Sequence, residues 1–317
     1  MRVILFAEEA AGARVLRALD NRSEEVTAVV TSCDDQESSG MNVASVANTL
    51  GYRVIPAGTL SKQEMVSFVR EQRADILLNV HSLHILPPDV IAAPSIGSFN
   101  LHPGPLPELA GLNAPSWAIF NGNTEHAVTL HWMLEGIDTG PIAYAERFPL
   151  SEQDTGLTVS AKCVTLGVPL IDKLLDIAND SPQGIPRVSQ NQGKRKLYKR
   201  SDLPNEGWID WSNTSRQVAA FVRAADYGPF PSPWGPPQCR SGDLTFGLVN
   251  VKVQSDAISA PEGTVLEICD RTAIVATGDG AVAIHRLHMD GEFFDAAEVL
   301  EAGRVLESFP LNHGVGA

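Results

Sequence analysis

Continuous apolar runs alternate with segments of helical periodicity along the first half of the chain. The apolar runs predict buried strands at RVILF (2–6), VTAVVTS (26–32), YRVIPA (52–57), ADILLNV (74–80) and GSFNLH (97–102). Between them, EEAAGARVLRALDN (8–21) and SKQEMVSFVREQR (61–73) predict helices, the second with Ser61 as its N-cap. Apolar strands that alternate with helices are typical of a parallel sheet covered on both faces. The sequence therefore predicts an α/β fold with a Rossmann-like, mostly parallel sheet.

The second half begins with the same alternation and then changes character. APSWAIFNG (114–122) predicts a helix, HAVTLHWML (126–134) and GPIAYAERFPL (140–150) predict strands, and a long helix is expected from about residue 155 to 178. Residues 180–206 are polar, contain Pro and Gly, and lack periodicity, which is typical of a linker or a surface excursion.

Beyond residue 206 the elements become short. A predicted helix, SRQVAAFVRAAD (215–226), precedes short alternating stretches separated by Gly and Asp turns. These stretches are LTFGLVNVKV (244–253), GTVLEIC (263–269), TAIVAT (272–277) and AVAIHRL (281–287). They predict a smaller, OB-like β-barrel. We therefore expect an α/β domain over residues 1–190, a linker over 191–206 and an accessory domain over 207–317.

The composition is typical of a soluble globular protein, because 44% of the 317 residues are hydrophobic and 20% are charged. No run approaches the roughly 18 consecutive apolar residues of a membrane helix. Two glutamates directly follow the N-terminal apolar run, so it is interpreted as a buried strand and not as a secretory signal. Cys33, Cys163, Cys239 and Cys269 lie far apart, without metal-ligand spacing. Reduced cysteines, a cytoplasmic location and no metal site are therefore expected.

The charge balance argues against a polyanionic partner. The formal net charge is −14, and an acidic chain repels phosphate backbones unless a local basic patch overcomes that field. The dense basic run lies between Gly193 and Arg200. In isolation, such a run is more typical of a solvated linker face than of a binding site.

Two polar side chains at the end of a predicted strand point to chemistry. Asn100 and His102 are two residues apart in GSFNLH, so their side chains leave the strand on the same face. Ligands of open α/β sheets bind beyond the carboxyl ends of the strands. Pro103 restricts His102 to extended backbone angles and fixes the exit of the chain.

A carboxylate follows at a specific distance. Asp138 comes 36 residues after His102, in a Gly-flanked loop between two predicted strands. Asn100-Leu101-His102 with Leu106-Pro107, followed by Asp138-Thr139-Gly140, resembles the N-x-H-x-S-L-L-P and D-x-G motifs of formyltransferases that use 10-formyltetrahydrofolate. Ile209-Asp210-Trp211 and VRAADYGPFPSPWG (222–235) are similar to the C-terminal extension that some members share. The resemblance thus covers most of the chain.

The resemblance implies transfer of a formyl group from the co-substrate 10-formyltetrahydrofolate to an amine, with Asn100, His102 and Asp138 as catalytic residues. The Asn100 amide can donate to the developing oxyanion without titrating. His102 can take the amine proton or, once protonated, donate to the oxyanion. Asp138 would stabilise the imidazolium and orient the ring. Whether His102 or Asp138 is the working base stays open.

The resemblance also implies a position for the folate. In relatives the pterin lies near the loop after the fourth strand and near the D-x-G loop. The implied folate-binding residues are Ile85, Leu86, Pro87, Gly136, Thr139 and Gly140. Leu86 and Pro87 would supply apolar walls, although an ordinary strand-to-helix turn is the alternative interpretation of residues 85–87. His131 on its predicted strand fits either a core position or a substrate contact.

Departures from the family motifs bear on the amine acceptor. Glu108–Gly111 replaces an arginine-bearing R-x-R-G segment, and Thr31–Gly40 has three acids and no base where transfer-RNA formyltransferases carry a basic loop. We therefore expect a small-molecule amine: an amino sugar, an amino acid derivative or a natural-product intermediate. Methionyl-tRNA is the alternative acceptor, supported by Lys194–Arg200. A 10-formyltetrahydrofolate hydrolase and a non-catalytic folate-binding protein are further alternatives.

Overall fold

The computed structural model describes residues 1–32, 42–82, 84–254 and 260–308. The chain divides into two compact units. The α/β unit comprises residues 1–114, 125–149 and 160–198, and the antiparallel unit comprises residues 115–124, 150–159 and the chain from residue 199 onward. None of the helices in the described ranges is long and apolar enough to cross a membrane.

The elements up to residue 198 follow the alternation of the sequence. The strands are β1 (Arg2–Ala7), β2 (Glu25–Thr31), β3 (Val54–Pro56), β4 (Ile76–Val80), β5 (Gly97–His102), β6 (Ala110–Gly111), β7 (Glu125–Trp132), β8 (Ile142–Pro149) and β9 (Leu197–Tyr198). The helices are α1 (Glu9–Asp20), α2 (Val43–Leu50), α3 (Lys62–Gln72), α4 (Pro88–Ile91), α5 (Ala114–Phe120) and α6 (Gly156–Asp180).

A seven-stranded sheet with the order β3-β2-β1-β4-β5-β7-β8 forms the centre of the α/β unit. The strands from β3 to β5 pair in parallel, and β7 and β8 pair antiparallel at one edge. The prediction of a mostly parallel sheet is confirmed. It succeeds because strands such as β1 are apolar on both faces: Val3–Ala7 is fully buried.

Local capping signals explain where two of the helices begin. Ser61 and Glu64 form a reciprocal capping box at the start of α3, as the sequence predicts for Ser61. The sequence analysis made no prediction for α2, which begins after Asn42 and ends at a left-handed Gly51. Its signals were the Asn42 side chain, which accepts from two backbone amides, and the C-terminal glycine.

The register of the central strands brings polar residues into one row. Asn79 of β4 pairs with Asn100 of β5, and Asn100 pairs with His131 of β7. Residues directly opposite each other on neighbouring strands project from the same face of a sheet. Asn79, Asn100 and His131 therefore stand side by side on one face, near the carboxyl ends of β4 and β5.

The segment that leaves α6 packs back onto the α/β unit. Val188 makes an antiparallel bridge with Ile142, and β9 pairs in parallel with β6. Residues 186–198 therefore run along the same unit as β5 and β7. The predicted domain boundaries at residues 190 and 207 stay a prediction.

The antiparallel unit contains the remaining elements. These are α7 (Ser215–Ala224), β10 (Gln238–Ser241), β11 (Leu244–Gln254), β12 (Val265–Cys269), β13 (Thr272–Ala276), β14 (Ala281–Met289), β15 (Glu292–Asp295) and α8 (Ala296–Val299). The strand order is β10-β11-β14-β13-β12, with β15 on β14, and Trp211 is fully buried in the core. Bridges from Glu307 to Arg240 and from Val305 to Thr264 join the two outer strands through the C-terminal segment. This closure agrees with the predicted barrel-like accessory fold.

Candidate active site

The row on the sheet face forms a continuous hydrogen-bonded chain. The Asn79 Nδ2 donates to the Asn100 Oδ1 over 2.9 Å. The Asn100 Nδ2 lies 3.1 Å from the His131 Nε2 and 3.2 Å from the Asp138 Oδ1. Asn100 is partly buried, whereas His131 and Asn79 are buried, so the Asn100 amide is the reachable member of the row.

His131 occupies the centre of this cluster, although the sequence left its role open. Its Nδ1 lies 2.8 Å from the Trp132 carbonyl oxygen, and its Nε2 lies 3.3 Å from the Asp138 Oδ1. A carbonyl oxygen only accepts, so Nδ1 carries a proton, and Nε2 is the ring nitrogen directed at Asn100 and Asp138. Both the Asn100 amide and the Asp138 carboxylate therefore contact the Nε2 edge of the His131 ring.

Each ring nitrogen of His102 lies close to an oxygen atom. Its Nε2 lies 2.7 Å from the Leu109 carbonyl oxygen, and its Nδ1 lies 3.5 Å from the Asp138 Oδ2. Burial lowers the pKa of His102 below its ordinary value and outweighs the opposing effect of Asp138. The neutral ring has its proton on Nε2, because only a donor satisfies the Leu109 carbonyl. The Nδ1 lone pair of His102 thus faces the carboxylate and is ready to take up a proton.

Asp138 stays ionised in spite of its burial. Burial opposes its charge, but His102, His131 and the backbone amide of Gly111, 2.8 Å from Oδ2, outweigh that cost and hold the pKa of the carboxyl well below its usual value. The residue lies in the left-handed region, with φ 53°. A permanent negative charge beside two imidazole rings stabilises a proton that arrives on either ring.

The loop after His102 is fixed from β7. The His126 Nε2 lies 2.9 Å from the Pro103 carbonyl oxygen, and the Thr129 hydroxyl donates to the Gly104 carbonyl over 2.8 Å. Gly104 is required because a Cβ there would lie 2.8 Å from the His102 Nε2 and 2.7 Å from the Ala114 Cβ. The loop thereby packs directly against the His102 imidazole.

The D-x-G loop is held by residues that the sequence analysis did not identify. The Gln190 Nε2 donates to the carbonyl oxygens of Asp138 and Gly140, over 2.8 Å and 2.6 Å. The guanidinium of Arg195 donates to the Ile137 carbonyl over 2.7 Å. Both residues lie in a polar segment without periodicity, so no local pattern marked them.

The predicted folate-binding residues occupy two loops of the α/β unit. Ile85 is 81% exposed, Leu86 is buried in the core beneath it, and Pro87 caps the start of α4. In the D-x-G loop, Thr139 donates to the carbonyls of Glu135 and Gly136. At Gly140, a Cβ would collide with the Trp132 carbonyl oxygen. The assignment of these residues to the folate stays a prediction.

No group of three His, Cys, Asp or Glu side chains in the described ranges is arranged to hold a metal ion. His81 instead contacts Glu9, with 3.1 Å between its Nδ1 and the Glu9 Oε2.

Comparisons with known proteins identify the family. Residues 1–172 match the family model described as formyl transferase, and residues 203–302 match the formyl transferase C-terminal domain. A methionyl-tRNA formyltransferase of Pelotomaculum thermopropionicum is 27% identical over 322 residues, which span 99% of this chain and 98% of that protein.

Two solved structures share the fold. One is an N-formyltransferase from Helicobacter canadensis in complex with folinic acid and dTDP-3-aminofucose, with a TM-score of 0.68, 19% identity, and coverage of 89% of this chain and 97% of that one. The other is WlaRD, a sugar 3N-formyltransferase, with a TM-score of 0.69, 16% identity, and coverage of 92% and 98%. Because the family models cover both halves of the chain, the protein belongs to the formyl transferase family and is a formyltransferase.

Proposed function

We propose that the protein transfers the formyl group of 10-formyltetrahydrofolate to the primary amine of a small molecule, with Asn100, His102 and Asp138 as catalytic residues. The observation that carries the proposal is the proximity of these three side chains: an Asp138 oxygen lies 3.2 Å from the Asn100 Nδ2 and another lies 3.5 Å from the His102 Nδ1, although Asp138 is remote in sequence. The cluster combines an amide donor, a neutral base and a fixed negative charge, which are the groups that acyl transfer to an amine needs.

The chemistry follows from these groups. The amine nitrogen forms a bond to the formyl carbon, and an oxyanion develops on the formyl oxygen. The His102 Nδ1 takes the amine proton, and Asp138 stabilises the resulting imidazolium from 3.5 Å. Collapse of the intermediate breaks the bond between the formyl carbon and N10 of the folate, and N10 leaves with a proton returned from the site.

Asn100 supplies the donor to the oxyanion. Its Nδ2 carries two hydrogens, which are directed at His131 and Asp138 in this structure. As the formyl oxygen gains charge, one of these N–H groups donates to it, because a charged oxygen is a strong hydrogen-bond acceptor. The Asp138 carboxylate keeps its other donors throughout.

Apolar side chains near the cluster fit the folate. Ile85, Leu134 and Ile137 are 81%, 50% and 44% exposed, on the loop after β4 and on the loop between β7 and β8. Exposed apolar side chains at a concave site favour a ligand that covers them, and a flat aromatic ring system would do so.

A small acceptor is favoured by the charge at the start of α1. A helix N-terminus is a ready site for phosphate, but Glu8 and Glu9 occupy this position. The Glu8 carboxylate already accepts hydrogen bonds from Thr31 and Ser32. The predicted acidic loop continues from these residues, and its positions 33–40 lie outside the described residues.

Methionyl-tRNA is the second candidate acceptor. The similarity to a methionyl-tRNA formyltransferase over nearly the whole chain favours it. The basic segment identified in the sequence is exposed at Lys194, Lys196, Lys199 and Arg200. The net charge of −14 opposes this alternative.

The test is amine-dependent release of tetrahydrofolate from 10-formyltetrahydrofolate, with His102→Ala as the blank. The acceptors are free amino sugars, nucleotide-linked amino sugars, amino acids and methionyl-tRNA. Turnover with a small amine but not with methionyl-tRNA supports the proposal. Turnover with methionyl-tRNA alone reverses the choice of acceptor, and formate release without any amine identifies a hydrolase.

A further inference from the structure

The direction of each hydrogen bond along the polar row can be derived from one fixed point. That point is the Asp138 carboxylate, whose Oδ1 only accepts hydrogen bonds. It lies 3.2 Å from one end of the Asn100 amide, so that end is the nitrogen. The His131 Nε2 lies 3.1 Å from the same end.

The same logic extends to the next strand. With its nitrogen towards His131 and Asp138, Asn100 presents its Oδ1 to β4, where only a donor can satisfy it. The Asn79 Nδ2 lies 2.9 Å away and provides that donor. Each bond in the row therefore fixes the next one, and the amide of Asn79 has one favourable orientation.

This orientation leaves an acceptor unsatisfied. Asn79 is only 7% exposed, and its Oδ1 is buried without a hydrogen-bond partner among the residues that the structure describes. A buried polar atom without a partner destabilises the folded state, and an apolar side chain of similar size would remove that cost. The Asn79 oxygen therefore lowers the stability of the folded state, whereas the Asn79 nitrogen supplies the hydrogen bond to Asn100.

We propose that Asn79 is a positioning residue that holds the Asn100 amide with its N–H groups towards the formyl oxygen. The inference rests on the proposed catalytic role of Asn100. Without the Asn79 donor, rotation of the Asn100 amide by half a turn places its Oδ1 against the reacting centre, where it repels the oxyanion. Asn79 thus lowers the stability of the fold but fixes the Asn100 N–H as a hydrogen-bond donor in the transition state.

Two variants separate this role from packing. Asn79→Leu removes both polar atoms and keeps the approximate volume. We expect kcat to fall about tenfold to a hundredfold, while the KM for 10-formyltetrahydrofolate changes less. The melting temperature should change little, because removal of the unpartnered Asn79 Oδ1 offsets loss of the donor to the Asn100 Oδ1. A purely structural asparagine would give the opposite result, with a lower melting temperature and an unchanged kcat.

Asn79→Asp keeps the shape but replaces the N–H donor by a carboxylate oxygen. At neutral pH its kcat should fall at least as far as that of Asn79→Leu. As the pH decreases, the introduced carboxyl takes up a proton and can donate to the Asn100 Oδ1, so the ratio of the variant kcat to the wild-type kcat should rise. The wild type at the same pH values is the reference, because it lacks the introduced carboxyl. Asn48→Asp, at an exposed position on α2, controls for the added charge.

The outcomes distinguish the two proposals. If the wild type transfers formyl groups and both Asn79 variants keep the wild-type kcat, the positioning role is overturned. A ratio for Asn79→Asp that does not change with pH overturns it as well. If the wild type shows no transfer with any acceptor, the proposed function itself fails.

Discussion

His102 combines two properties that a general base needs. It is neutral, because burial lowers its pKa, and its free Nδ1 lies beside a carboxylate that stabilises the protonated ring. Burial alone would make proton uptake unfavourable, and Asp138 reduces that penalty when the proton arrives during the reaction. The pair therefore favours an uncharged His102 in the ground state and a protonated His102 in the transition state.

The direction of this pKa shift predicts the pH dependence of catalysis. His102 acts unprotonated, so kcat/KM falls when the pH drops through its pKa, which lies below the ordinary value of 6.5. Activity should therefore persist into mildly acidic solution, with the acidic limb of the pH profile below 6.5. Steady-state rates of tetrahydrofolate release from pH 5 to 9 check this. His288→Gln, in the antiparallel unit, should not move the limb, and a limb above 6.5 would contradict the prediction.

The loop between β7 and β8 is positioned by the segment of residues 186–198. Gln190 binds the carbonyls of Asp138 and Gly140, and Arg195 binds that of Ile137. These bonds hold a backbone that includes a left-handed Asp138. The placement of the Asp138 carboxylate therefore depends on a segment that is about fifty residues further along the chain.

Substitution at Gln190 tests this dependence. Gln190→Glu keeps the length of the side chain, removes both N–H donors and places an oxygen against two carbonyls. We expect kcat/KM to fall by about tenfold to a hundredfold, because small displacements of a catalytic group are costly. Gln192→Glu adds the same charge at an exposed position of the same segment and should have little effect. Equal kinetics of the two variants would show that the loop keeps its position without Gln190.

A second buried histidine couples the stability of the α/β unit to pH. His126 is fully buried, its Nδ1 has no hydrogen-bond partner in the described part of the chain, and burial lowers its pKa to about 4. Between pH 6.5 and about 4 the unfolded chain binds a proton at this position that the folded chain does not bind. The free energy of unfolding should therefore decrease as the pH falls through this window, by about 3 kcal/mol from His126.

Urea denaturation of the whole protein at several pH values between 4.5 and 7.5 measures this contribution. His126→Phe retains an aromatic ring against Phe148 but cannot titrate. The variant is expected to be less stable at pH 7, because the Pro103 carbonyl loses its donor. Its stability should nevertheless depend less steeply on pH below 6.5 than that of the wild type. Parallel pH dependences would assign the acid sensitivity to other groups.

Local periodicity was sufficient for the fold class and for part of the site. Uninterrupted apolar strands between amphipathic helices require cover on both faces, which leads to a mostly parallel sheet. The two-residue period of a strand places Asn100 and His102 on one face, and the spacing to Asp138 carries the family resemblance. The Ser61 cap followed from side-chain chemistry within one helical turn.

Contacts between distant segments determined the rest. Asn79 and His131 join Asn100 because of the register among three strands, and register depends on how whole strands pack. Gln190 reaches the D-x-G loop because an aperiodic segment pairs with β6 and β8. The proton positions and pKa values depend on burial and on particular acceptors, such as the Leu109 and Trp132 carbonyls. These contacts and pKa values depend on residues from different elements, so they exist only once the chain has folded.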